Sequence, residues 1–184
     1  MFRLFHRVKV VCPLVIGLIW PFLSVAQGPF PTPPSTAQRL FYVQRTHNTN
    51  TIIYDANTIL NGRSFDTKQP INVYWIRYAE DGREEPLSYL QRTMAYGVDV
   101  RRAGQAGEFE FNVVSYPKRK LRLYIDPAGK PHAVLTIHGK SSWLNRVYIH
   151  IEGKKAGIIP DVKYVELFGT DPNTGKAVYE KVVP

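Results

Sequence analysis

Arg45, Arg77, Gln91, Arg92, Lys140 and Asn145 are the side chains best suited to recognising a ligand, and they lie beside aromatics such as Trp75, Tyr96 and Trp143. Guanidinium forks bind carboxylate or phosphate groups through paired hydrogen bonds, and aromatic rings offer flat platforms to cations and sugars. The mixture points to binding of an anionic, amphiphilic or sugar-like molecule. The competing reading is a rim of amphipathic side chains that covers the core with their stems.

Bond-breaking chemistry has weaker support. In "QRTHNTNTIIYDAN", Gln44 to Asn57, the group Arg45, His47, Asn48 and Asn50 has the composition of a hairpin tip, because Asn tolerates left-handed backbone and bonds to its own chain. His47, Asn48 and Asn50 are therefore assigned to a turn, and Arg45 to a strand end. If "HAVLTIHG" and "NRVYIHIEG" pair, His132, His138 and His150 share one face, with His132 and His150 as diagonal neighbours and Glu152 nearby. Neither a compact His-x-His nor an HExxH spacing accompanies them, so no metal site is assigned. "HGKSSW", His138 to Trp143, ends like a phosphate-binding loop, but Val134 stands where that loop needs glycine and no helix follows. Gly139, Ser141 and Ser142 read as a connection between strands. There is no GxSxG elbow. A hydrolase has only His138, His150 and Asp55 to draw on. No catalytic residue and no cofactor is assigned.

The elements that must position these groups are strands. "RLFYVQRT", "TIIYDAN", "INVYWIRYA", "EFEFNVVSY", "LRLYIDP", "HAVLTIHG", "NRVYIHIEG", "VKYVELFG" and "KAVYEKVVP" are short, rich in β-branched and aromatic residues, and bounded by turn formers. Alternation at Leu121, Leu123, Ile125 and at Val147, Ile149, Ile151 marks a face turned to a core. "DPAG" at Asp126 to Gly129 and "DPNTG" at Asp171 to Gly175 carry the Pro and Gly of tight turns. In "EPLSYLQRTMAYG", Leu87, Leu90 and Met94 recur at helical spacing and Gly97 supplies a stop, which predicts one short helix packed on the sheet. The fold class is all-β, mainly antiparallel: a β-sandwich or barrel of about eight or nine strands with one short helix. Short connections favour meander pairing over parallel crossovers.

Of the 184 residues, the first 26 have the layout of a secretory signal peptide: Arg3, Arg7 and Lys9, then an apolar stretch from Val10 to Val25, then Ser24 and Ala26 as small residues before a cut. The rival reading is an uncleaved anchor, but Pro13 and Pro21 interrupt a run already short for a spanning helix, so membrane contact is expected to be peripheral at most. Cys12, the single cysteine, falls inside this leader, which leaves a mature chain with no disulfide and no thiol chemistry. Processing reduces the formal charge of +9 by the three leader cations, to +6. That excess suits anionic envelope surfaces, and no nucleic-acid-binding signature accompanies it. The runs Lys118–Lys120 and Arg101–Arg102 read as solvated loops. Residues 27–37, with prolines at 29, 31, 33 and 34, read as an extended linker, and 38–184 as a single domain.

"LFYVQRTHNTNTIIYDAN", "INVYWIRYAEDG", "LSYLQRTMAYG" and "KYVELFGTD" together resemble an uncharacterised family of exported bacterial proteins known as a domain of unknown function, over about residues 39–184. The resemblance implies a bacterial envelope protein, periplasmic or extracellular, and assigns no activity to any residue. The leading expectation is thus a noncatalytic binding module for an anionic or amphiphilic envelope ligand. A hydrolase and a structural component of an envelope assembly are the alternatives, with the protein partner unspecified.

Overall fold

A computed structural model describes residues 30–104, 108–155 and 159–184. The leader and Cys12 lie outside the described residues. The described residues are all-β with one short helix. The first half forms β1 (Arg39–Arg45), β2 (Asn48–Ala56), a small hairpin of β3 (Thr58–Ile59) and β4 (Ser64–Phe65), then β5 (Ile71–Ile76), β6 (Glu84–Pro86) and the helix α1 (Tyr89–Met94). The second half forms β7 (Val98–Arg102), β8 (Phe109–Val113), β9 (Leu121–Ile125), β10 (Pro131–Ile137), β11 (Lys140–Lys155), β12 (Ile159–Thr170) and β13 (Ala177–Val182).

β11 organises the rest. Its 16 residues span about 50 Å at strand rise. One edge carries β12 along most of that length, from Trp143↔Thr170 to Lys155↔Ile159. The opposite edge serves two strands in succession: β10 at Ile137↔Lys140 to Val134↔Trp143, then β1 at Tyr42↔Arg146 to Arg45↔Ile149. Two arms leave that edge, β1–β2–β5–β6 and β10–β9–β8–β7. Phe41 of β1 stacks on Phe111 of β8 at 6.4 Å, and Phe65 meets Phe109 edge-on at 6.1 Å, so the sheet curls until its arms face each other. Between them lie Phe41, Tyr54, Trp75, Phe111, Leu123 and Leu135, all buried. Fully burying such side chains contributes about 1.5–3 kcal/mol each.

The β1–β11 pair is parallel and every other pairing is antiparallel. Meander pairing therefore fails at this one place. A parallel partner needs a long connection, and residues 46–139, about half of the chain, lie between β1 and β11. The hairpins follow turn chemistry. Asp126 Oδ1 accepts from the N–H groups of Ala128 and Lys130, with Gly129 at φ 84°; Asp171 Oδ1 accepts from Asn173 and Thr174, with Gly175 at φ 67°. The β1–β2 turn is tighter than "THNTN" suggests. Only Thr46 and His47 lie outside the strands, and His47, rather than an Asn, takes the positive φ. Asn48 and Asn50 belong to β2, where Asn50 is buried and accepts from the Ala79 N–H at 2.8 Å. Ser141 and Ser142 are strand residues of β11, because His138 and Gly139, both at positive φ, complete the reversal alone.

α1 departs from its predicted packing. Leu87, before the helix, is buried, but Leu90 and Met94 are 65% and 72% exposed, and no helix residue is buried. Six residues cannot present a full apolar stripe. The helix is held through its cap: Ser88 Oγ accepts from the Gln91 N–H, and Gln91 Oε1 accepts from the Ser88 N–H. Gly97 is required after it, since a Cβ there would lie 1.9 Å from the Arg92 carbonyl oxygen. In the proline-rich segment, Pro33 is buried, Phe30 packs on Tyr148 at 5.6 Å and the Pro31 carbonyl accepts from Gln44 Nε2.

Candidate functional site: an apolar cavity beside the Arg45 cluster

Strand alternation puts Phe41, Val43 and Arg45 of β1 on the inner face, beside Tyr54 and Ile52 of β2 and Trp75 of β5. Arg45 is the last residue of its strand and ends that row at the rim of the sandwich. It is half-buried. Its Nη1 donates to the Tyr96 hydroxyl at 2.6 Å, and its guanidinium lies 5.5 Å from the Trp75 ring and 5.7 Å from the Tyr96 ring. Its Nε is buried and finds no hydrogen-bond acceptor among the described residues. Trp75 and Tyr96 meet edge-on at 5.4 Å, and Trp75 Nε1 donates to Gln91 Oε1 at 3.2 Å. Arg45, Trp75, Gln91 and Tyr96 thus form one cluster, with the capping glutamine of α1 holding the indole.

Counter-ions separate Arg45 from three other partly buried arginines, while Arg146, also partly buried, lies with its guanidinium 3.9 Å from the Phe168 ring centroid. Arg39 pairs with Asp55, Arg77 with Glu80 and Glu85, and Arg119 with Glu180, whereas no carboxylate among the described residues pairs with Arg45. A guanidinium taken partly out of water gives up hydration that ring faces only partly restore. Burial raises the Tyr96 hydroxyl above the usual tyrosine value, with Arg45 opposing it. The hydroxyl therefore stays protonated: its oxygen accepts from Arg45 and its proton is free to be donated. The Tyr54 hydroxyl, pushed up by complete burial, donates to the Tyr96 carbonyl at 2.8 Å and fixes the segment after α1.

A cavity of about 320 Å³ lies between the arms and meets this cluster at Tyr96. Phe41, Val43, Leu135, Leu144, Val147 and Leu167 supply much of its wall. Three of Arg45's neighbours also line it: Val43 on its own strand, Ile149 opposite in register, and Tyr96. Arg119 lines it too, tied to the Thr136 carbonyl at 2.9 Å and to Glu180 at 2.8 Å. Burial disfavours the Glu180 carboxylate, but the His138 N–H and Arg119 outweigh it and hold the group ionised below its usual range. Arg119 is thus satisfied internally where Arg45 is not. This corrects the reading of Lys118–Lys120 as wholly solvated: Lys118 and Lys120 are exposed, and the middle residue turns inward. Glu180 was legible in principle, since it falls between Val178 and Val182 on the inward alternation of β13.

The remaining sequence candidates lie elsewhere. Arg77 is occupied by Glu80 and Glu85 on the β5–β6 connection, and Arg92 is exposed on α1. Lys140, Trp143 and Asn145 occupy the start of β11, six residues or about 20 Å along the strand from Ile149, the register partner of Arg45, when counted from Trp143. Asn145 there donates to Thr170 Oγ1. The histidine face also differs from expectation. Because the hairpin turns within two residues, Ile137 pairs with Lys140, and His132 falls far from His150. His132 is buried, stacked on Trp143 at 3.8 Å and bonded to Asp126 at 3.1 Å. His150 stacks on Tyr164 at 4.5 Å. Asp55 is held by Arg39 and Tyr74 near the opposite end of β1, so His138, His150 and Asp55 are not assembled. No group of three His, Cys, Asp or Glu suited to a metal occurs among the described residues.

His132 gives the domain a pH response. Burial holds its imidazole below the ordinary value, a displacement that Lys130 reinforces and Asp126 opposes. The unfolded chain therefore takes up this proton first, and stability falls as pH drops below about 6.5. Thermal midpoints measured from pH 7.5 to 5 should decline, and His132→Gln should flatten that decline; an unchanged slope would remove His132 as its source.

Comparison with curated proteins and with solved structures gives no match. Residues 41–181 match the family described as Domain of unknown function (DUF4833), a span that runs from β1 to β13 and includes every residue of the Arg45 cluster and most of the cavity wall. The chain belongs to that family of unknown function.

Proposed function

We propose that the domain is a noncatalytic binding module for an anionic amphiphile of the cell envelope, whose apolar chain enters the cavity between the arms and whose head group meets Arg45. The observation that carries the reading is an apolar cavity lined by Tyr96, whose hydroxyl accepts from a half-buried guanidinium with no carboxylate partner among the described residues. At about 320 Å³ it lies at the lower end of ligand sites, which run to about 300–1,000 Å³. It has the volume of roughly ten water-sized groups at about 30 Å³ each, which suits one medium-length acyl chain. A carboxylate or phosphate oxygen there accepts from Arg45 and from the Tyr96 hydroxyl. Export by the leader places such a module where amphiphiles are abundant. Binding alone accounts for these groups, since the described residues that line the cavity hold no nucleophile with an adjacent base.

Titration with a medium-chain fatty acid carrying a polarity-sensitive fluorophore tests the reading. Arg45→Gln should weaken binding of the acid about tenfold or more, the worth of one charge-assisted hydrogen bond, while the alcohol of equal chain length binds both forms alike. Equal affinity of wild type and variant for the acid would remove Arg45 from the site.

A further inference from the structure

A second cavity, of about 310 Å³, lies between the β3–β4 hairpin and the strands β8 and β9, and it shares no wall residue with the first. Strand lengths create it. β8 begins at Phe109, opposite Leu123, so Tyr124 and Ile125 of β9 run on past its start. The β3–β4 turn supplies another side. Leu60, Asn61 and Gly62 take φ of 54°, 56° and 85°, and the turn passes so near the β9–β10 turn that a Cβ on Gly62 would lie 3.2 Å from the Gly129 carbonyl oxygen. That approach delivers Arg63 to the cavity wall, where β9 contributes Arg122 and the residue before β8 is Glu108. Phe65, Phe109 and Leu123, all buried, form the apolar part of the wall.

Charges of both signs line this cavity without pairing. Among the described residues Arg63 and Arg122 have no carboxylate partner and Glu108 has no cation, although all three belong to one wall. Glu110, the register partner of Arg122, lies 3.9 Å from Lys120 instead. The surroundings are cationic: the segments that supply the wall, residues 63–68, 101–110 and 120–130, carry seven Lys and Arg against four Asp and Glu, a net +3. Two guanidinium forks from separate elements offer more donors than the two oxygens of one carboxylate take up, and a phosphate group has three terminal oxygens to receive them. A free carboxylate in the same wall accepts from hydroxyl groups, and Tyr124, 45% exposed, offers a ring face. We infer that this cavity is a second binding site, for a phosphorylated sugar, whose phosphate meets Arg63 and Arg122 and whose hydroxyls meet Glu108. The volume lies at the lower end of the range of about 300–1,000 Å³ for small-molecule sites.

The test is isothermal titration calorimetry of the intact chain with glucose 6-phosphate and glucose 1-phosphate, with glucose and inorganic phosphate as controls. At least one sugar phosphate should bind more tightly than inorganic phosphate, and glucose should give no binding heat. Arg63→Gln and Arg122→Gln should each weaken the sugar phosphate about tenfold or more, the worth of one charge-assisted hydrogen bond. Glu108→Gln should weaken the sugar phosphate without weakening inorganic phosphate. All three side chains are exposed, so the variants should keep the wild-type thermal midpoint, which shows that they are folded. No binding of either sugar phosphate at millimolar concentration, or an affinity that neither arginine variant changes, would overturn the site. Inorganic phosphate bound as tightly as the sugar phosphates, with Glu108→Gln without effect, would overturn the assignment to a sugar. The two cavities have separate walls, so none of these outcomes depends on the amphiphile reading.

Discussion

Val147→Phe is expected to abolish capture of a medium-chain amphiphile while leaving the domain folded. Val147 points inward from the middle of β11, opposite Val43 on one side and Leu167 on the other, and all three line the cavity. A ring in place of the isopropyl group occupies the volume a ligand chain would take. Excluding about four methylenes at about 0.8 kcal/mol each removes about 3 kcal/mol, roughly a hundredfold in affinity. In a close-packed core the added bulk would cost about 1–3 kcal/mol through forced rotamers. Here it has space to enter, so the thermal midpoint should hold or rise. Retention of wild-type affinity would show that the chain does not lie against β11; a collapse of the midpoint would show that the wall is packed rather than open.

The largest stability effect is expected at Phe41, which is 1% exposed, stacks on Tyr54 at 4.3 Å and on Phe111 at 6.4 Å, and joins the two arms. Phe41→Ala removes the ring that ties one arm to the other and should cost about 3–5 kcal/mol in urea denaturation. Phe41 also lines the cavity, so this variant enlarges the space that Val147→Phe fills. A ligand that binds only the native state stabilises it by mass action. Saturating fatty acid should therefore recover part of the loss in Phe41→Ala and little in Val147→Phe. A loss below about 1 kcal/mol would mean that the arms are held apart from this contact.

All nine strands expected from alternation and turn chemistry are present, because local signals suffice there: Leu121, Leu123 and Ile125 alternate, and Asp126 and Gly129 close the hairpin behind them. The additional strands escaped for local reasons. β3, β4 and β6 have two or three residues, too few to show a period, and β7 ends in Arg101 and Arg102, whose charge reads as loop although their backbone pairs with Glu110 and Phe109. The parallel contact of β1 with β11 and the service of two arms by one strand edge are long-range choices that no window of sequence contains.

The Arg45 cluster was partly legible. Arg45, Trp75, Gln91 and Tyr96 stand out by residue type, and the fold brings these four together. Nothing local distinguishes them from Lys140, Trp143 and Asn145, which have the same character and sit elsewhere. The cavity was not legible, because its wall is the ordinary inward face of several strands. Its existence depends on how far two arms of one sheet curl toward each other.

Native mass spectrometry of the protein with added dodecanoate and, in parallel, dodecanol asks whether an amphiphile occupies the space between the arms. A one-to-one adduct with dodecanoate is expected, weakened in Arg45→Gln and absent in Val147→Phe. A wild-type spectrum showing only the bare chain at saturating dodecanoate, or an adduct indifferent to Val147→Phe, would contradict an amphiphile site between the arms.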